Sequence, residues 1–260
     1  YSATGRIYNV RSKFDVLSTQ ITSDALDISI DDLMFTLSGP ATLGGIQSEM
    51  RFVSSLDPKR DLRPQLNANL RVSDRDLTGL GVALPRDLLR GTAAAELVVD
   101  FPKGAAPQYR ITSDMEGFGA RIPTLGWRKT TNAKGDFRLD GRLGETPKIE
   151  GISYSGQGLE AKAEVLLSDG AFAGVNLSKL RVGDWFNAGL RIAKNGAITI
   201  TSGTVKLSEF IKRRQSGSGS NAGVEIALDR LIIDPKNSVT NFRATLNQNG
   251  LGPFSGAIKE

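Results

Sequence analysis

The chain contains neither cysteine nor histidine. Without histidine it lacks the commonest general base and the commonest metal ligand. Without either residue, Ser-His and Cys-His nucleophile systems are excluded outright, and a zinc site loses its usual ligands. No lysine completes a Ser-x-x-Lys motif, and GFG, GLG and GQG all stop short of GxGxxG. No Walker A motif occurs either. The missing cysteines leave the compartment open, because oxidising compartments permit disulfides without requiring them. No stretch approaches the roughly 18 consecutive apolar residues of a membrane-spanning helix. The chain opens at Tyr1 with neither Met nor a signal-peptide pattern, which reads as a fragment of something longer.

Carboxylates are the chemistry left over. Asp24, Asp27, Asp31 and Asp32 cluster, as do Asp74 and Asp76, in the manner of a two-carboxylate hydrolase or a hard-cation site. No EF-hand loop is spelled out, and acidic residues are routine at turns and on solvent faces. The expectation is therefore no enzyme, no cofactor and no metal.

What the chain has is glycine, 29 residues in 260, scattered among short alternating runs as suits turns and bulges. The stretch from Gly117 to Asp169 shows the pattern best. Phe137, Leu139 and Leu143 alternate with polar residues, as do Leu159, Ala161, Ala163, Val165 and Leu167. A period of two places one apolar row on one face of each strand. The same grammar holds for Leu26, Ile28 and Ile30, with a slip at Asp31-Asp32 that a bulge or turn must absorb before Leu33, Phe35 and Leu37. After Ser38-Gly39-Pro40 come Ile46 to Phe52 and then Leu66 to Val72. Ala95, Leu97, Val99 and Phe101 follow, and near the end Val224, Ile226 and Leu228, then Phe242, Ala244 and Leu246. About fourteen or more short strands at this spacing predict an all-β chain of meandering antiparallel sheet. Residues 73–90 break the pattern and predict one short helical insertion, capped by Asp74 and Asp76 and running through Leu80, with Pro85 opening another turn through Leu89. QSGSGS, 215–220, reads as a flexible loop.

A faint echo relates LGW at 125–127 to GDWF at 183–186, with 58 residues between Trp127 and Trp185. It suggests one β-rich segment, 1–260, of two repeat-like halves, 1–116 and 117–260. Both tryptophans read as core or sheet-end anchors, since no further aromatics interleave with basic residues around them. The formal net charge of +5 favours anionic surfaces mildly. Lys212-Arg213-Arg214 reads as a solvated loop edge, short of a full basic patch, and no nucleic-acid partner is expected.

A sheet apolar on one face must cover that face or expose it. With so little helix, either two sheets close into a sandwich, or the sheet curls and leaves a groove that an acyl chain can fill. GPATLGG (39–45), LTGLGVALPRDLLRGTAAAELVVDF (77–101), the stretch around LGW, and LSKLRVGDWFNAGLRI (177–192) together resemble AsmA-like bacterial envelope proteins of the YhdP/TamB type. The resemblance runs over about residues 37–256. It implies an extended, curled antiparallel sheet with a hydrophobic groove that carries phospholipid from inner to outer membrane. It also implies a periplasmic location, in a parent protein tethered to the inner membrane by a segment outside these residues. On that reading the groove candidates are Ala95, Leu97, Val99, Phe101, Phe137, Leu139, Leu159, Val165, Val224, Ile226, Leu228, Phe242 and Leu246, meeting phospholipid acyl chains. The other reading is a structural or adhesive β-module that binds a protein or glycan, with its apolar faces sealed in a closed β-sandwich.

Overall fold

A computed structural model describes residues 2–13, 20–59, 62–79, 88–144, 148–168, 171–214, 224–247 and 250–259. The described residues are almost all β, 73% strand and 6% helix, paired mainly as antiparallel sheet. The strands in chain order are β1 (Ser2–Lys13), β2 (Gln20–Asp31), β3 (Met34–Leu43), β4 (Ile46–Ser55), β5 (Gln65–Ser73) and β6 (Leu89–Asp100). Next come β7 (Gln108–Ser113), β8 (Phe118–Ile122), β9 (Trp127–Lys129), β10 (Asp136–Arg142), β11 (Lys148–Gly156) and β12 (Leu159–Ser168). The last six are β13 (Ala171–Val182), β14 (Phe186–Ala193), β15 (Ile198–Lys206), β16 (Val224–Ile232), β17 (Ser238–Asn247) and β18 (Gly250–Lys259). Two helices, α1 (Asp74–Gly79) and α2 (Leu207–Arg214), interrupt them.

The chain divides into two compact units. Unit 1 is Tyr1–Gly119 with Thr131–Glu150; unit 2 is Ala120–Thr130 with Gly151–Glu260. In unit 1 the strands β1 to β7 pair antiparallel in chain order, and β10 then pairs with β7. The slip at Asp31-Asp32 is a two-residue hairpin turn. Asp32 and Leu33 take φ of 44° and 63°, which restores the pairing of Ile30 with Phe35 and Ile28 with Leu37. Two positive φ values are what a type I′ turn demands, usually met by Asn-Gly or Asp-Gly. Here a leucine, 54% exposed, holds the second position. Leu33→Gly should therefore raise stability by about 0.5–1 kcal/mol, the relieved left-handed strain outweighing the added chain entropy. A urea titration whose midpoint falls instead would contradict this.

Ser38-Gly39-Pro40 does not turn the chain. β3 runs straight through it, and the reversal comes at Gly44 and Gly45, φ 57° and 88°. Pro40 has no N–H to give β2, and the β2–β3 register shifts between Thr22 and Asp27 at that level. Ser23 Oγ instead donates to the Pro40 carbonyl at 2.6 Å.

Helix α1 lies inside the expected insertion, but its cap is Ser73 rather than an aspartate. Asp76 N–H donates to Ser73 Oγ at 3.2 Å, and the Asp76 carboxylate accepts from Ser73 N–H at 2.8 Å, a reciprocal capping box. Of the turn expected from Pro85 through Leu89, residues 85–87 lie outside the described residues, and Leu89 already opens β6. Helix is not concentrated there: α2, the longer of the two, occupies Leu207–Arg214.

Unit 2 runs β12 to β18 in chain order. All of these pairs are antiparallel except β15–β16, which is parallel. A parallel pair needs a crossover, and α2 lies in the connection between the two strands. The QSGSGS loop lies outside the described residues.

Candidate functional site

Directly opposed residues in neighbouring strands share a face, so register alone maps each sheet's two sides. In unit 1, Leu97 faces Ala68, which faces Met50, and on its other side Ile111, which faces Leu139. Val99 aligns with Leu66, Phe52 and Leu37 one way and with Tyr109 and Gly141 the other. Ala95 aligns with Leu70, and Phe137 lies two residues from Leu139 on the same face. Phe101, just past β6, meets Phe52 edge to face at 5.9 Å between ring centres. The six candidates of unit 1 thus belong to one apolar side. Gly141 is needed on it: a Cβ there would sit 2.4 Å from the Tyr109 ring. Burial pushes the Tyr109 phenol above its ordinary pKa, with the Glu150 charge adding to the shift.

The opposite side of unit 1 is polar. Arg6 pairs with Asp27 at 2.6 Å, and Asp140 receives Arg138 at 2.6 Å and Arg110 at 2.9 Å. Those bonds, led by Arg138, hold the Asp140 carboxyl below the usual carboxylate range. With Asp27 engaged this way, no three carboxylates gather into a cation site among the described residues. A concavity of about 960 Å³ opens on this side, lined by Arg11, Thr42, Gln47, Glu49, Asn69 and Arg71 among others.

Unit 2 is more regular. One row crosses six strands: Val165, Val175, Ile192, Ile198, Val224 and Leu246. The next is Ala163, Leu177, Leu190, Ile200, Ile226 and Ala244. A further row runs Leu159, Val182, Phe186, Val205, Leu231 and Val239. Leu228 and Phe242 oppose each other on the same side. The candidates of unit 2 all lie in these rows, except that the side chain of Leu246 is outside the described residues.

Burial varies from row to row. The row from Leu159 to Leu231 is sealed, each side chain from 4% to 8% exposed. Trp127 and Trp185, 8% and 3% exposed, join it in one core. Trp127 donates its indole N–H to the Gln157 carbonyl at 3.0 Å, and Trp185 packs on Phe186 with ring centres 5.5 Å apart. Helix α2 continues from β15 just past Val205 and contributes Leu207 and Phe210 to the same core. It lies against the 3-10 turn Pro123–Leu125 that joins β8 to β9. At the other end Val165, Val175, Ile192, Ile198 and Val224 are all only half-buried. In unit 1, Ala95, Leu97, Phe101, Ile111, Phe137 and Leu139 are half-buried as well, beside the sealed Val99, Leu66 and Ala68.

Several members of these rows fell outside the sequence-based candidates. Leu177 and Leu180 straddle a register shift, which breaks the period of two inside the strand run at 172–182. Leu190, Ile192, Ile198 and Ile200 carry the signal openly in GLRIAKNGAITI. No family model, curated protein or solved structure matches the chain, so the reading of its apolar faces rests on their own geometry.

Proposed function

We propose that the chain is a non-enzymatic lipid-carrying module whose apolar sheet faces hold the acyl chains of phospholipid. The observation that carries this is the half-buried row Val165, Val175, Ile192, Ile198 and Val224. Five β-branched side chains on neighbouring strands form a hydrocarbon surface with no polar contact to specify a guest. With Leu246 the row spans about 24 Å at strand spacing. A chain lying along it gains roughly 0.8 kcal/mol for each methylene taken from water. The resemblance to AsmA-like envelope proteins supports the same reading and extends it to phospholipid transfer between the inner and outer membranes, in the periplasm.

The polar concavity of unit 1 favours a second reading, a β-module that binds a glycan or peptide. Native mass spectrometry of the purified chain separates the two. Co-purifying phospholipid, lost on organic extraction and regained from vesicles, is the expected result. A lipid-free monomer that takes up no lipid from vesicles would end the first reading and leave the second.

A further inference from the structure

The charge of the chain is divided very unequally. Unit 1 has 17 basic and 19 acidic residues and unit 2 has 16 and 9, so a net +7 sits on the second unit against −2 on the first. Part of that surplus converges on one corner of unit 2. In the β8–β9 hairpin Ile122 opposes Trp127, and that side packs into the core. Its other side sets Arg121 directly opposite Arg128, both exposed. Opposed Cβ atoms stand about 5 Å apart, close enough for two guanidinium groups to share one phosphate or grip two adjacent ones.

The turn of this hairpin is where α2 rests. With Leu207 and Phe210 turned inward, α2 leaves Ile211 50% exposed beside the exposed Lys212, which pairs with Glu209 at 3.0 Å. Arg213 and Arg214 complete its sequence. Two neighbouring exposed arginines match the phosphates of a lipid surface, and the exposed Ile211, which gains nothing from water, matches the hydrocarbon beneath them. Nucleic acid would satisfy the arginines but not Ile211, and both tryptophans of this corner are buried and so offer no base a stacking platform.

We propose that the corner formed by Arg121, Arg128 and α2 docks unit 2 on an anionic lipid bilayer, with the arginines among the phosphates and Ile211 at the acyl boundary. The full chain is sedimented with vesicles of phosphatidylcholine, with or without about a third phosphatidylglycerol, at low and at high salt. The expected result is binding to the anionic vesicles alone, weakening as salt screens the charges. Arg121→Gln/Arg128→Gln should reduce that binding about twenty-five-fold, near fivefold for each basic residue removed. Arg51→Gln/Arg75→Gln, two exposed arginines of unit 1, should leave it unchanged. Lipid held in the apolar rows, measured by mass spectrometry on the same preparations, should not change with either pair, which separates this surface from the acyl site. Equal binding to both vesicle types, or full binding by the Arg121/Arg128 variant, would overturn the proposal. So would single-stranded DNA that binds as tightly as the anionic vesicles and loses as much in the variant, since the corner would then be a general polyanion site.

Discussion

Gly203→Ala is expected to destabilise unit 2 by about 3–5 kcal/mol, whereas Gly196→Ala, seven residues earlier, should cost about 1 kcal/mol. Both glycines have positive φ, 117° and 82°, so each substitution forces an L-residue into an unfavourable backbone region. They differ in what the new methyl meets. At Gly196, in the β14–β15 turn, nothing lies within 4 Å of the added Cβ. At Gly203 it would sit 2.2 Å from the Asn187 carbonyl oxygen and 2.5 Å from Ala188 Cα, which are backbone atoms of the paired strand. No rotamer relieves a backbone clash. β14 and β15 would have to part, and ladder bonds worth about 1 kcal/mol each would go with them. The position is constrained further because Gly203 N–H donates to the Asp229 carboxylate at 2.7 Å on β16. A loss of this size is a large fraction of a domain's usual 5–15 kcal/mol. Urea titrations of the two variants decide the matter. Midpoints within experimental error of each other would show that β14 and β15 are not packed at Gly203 as described.

Gly203 also shows why part of this architecture was legible in the sequence and part was not. Alternation is a local signal, and it found the strands wherever two apolar residues stood two apart. Ala95 to Phe101, Leu159 to Val165 and Val224 to Leu228 all share a face as their spacing implies. Irregular positions defeat it. Leu228 and Leu231 point into one core although they are three residues apart. Between them the strand passes Asp229, level with Gly203 on one side and near the left-handed Asn241 on the other, φ 53°. Gly39-Pro40 carries a turn's composition, yet it lies within β3 because a shifted register in β2 accommodates the proline. Helix α2 was hidden for another reason. LSEFIKRR offers apolar residues at positions one, four and five, too short a run to separate from the strand before it and the polar loop after it. The pairing of Trp127 with Trp185 in one core is a long-range fact, and no repeat spacing could reveal it.

Paired substitutions on β16 give the sharpest test of whether the apolar rows are a binding surface or merely a core. Ile226 and Leu228 are two residues apart on the same face of one strand, opposite Ala244 and Phe242. Leu228 is 3% exposed, while Ile226 is half-buried. A carboxylate at Leu228 would be stripped of water among apolar neighbours. Such a group costs about 3–5 kcal/mol or takes up a proton instead. Leu228→Asp should therefore melt far below the parent, or fail to fold at neutral pH. Its stability should recover in part as the pH falls, because the neutral acid is the form that tolerates burial. At Ile226 the same carboxylate can turn toward the accessible end of the row and keep part of its hydration, so Ile226→Asp should fold with a loss of about 1–2 kcal/mol. Lipid responds in the opposite sense. An acyl chain lying over Ile226 must cover the new charge, and that desolvation cancels the gain from several methylenes. Ile226→Asp should then purify folded and monomeric with at least tenfold less bound phospholipid, and Leu139→Asp, half-buried in unit 1, should behave likewise. The measurements are a thermal melt and lipid quantitation on one preparation of each variant. Unfolding of both half-buried variants would mean that the rows are sealed core throughout, and full lipid content in both folded variants would mean that the lipid lies elsewhere.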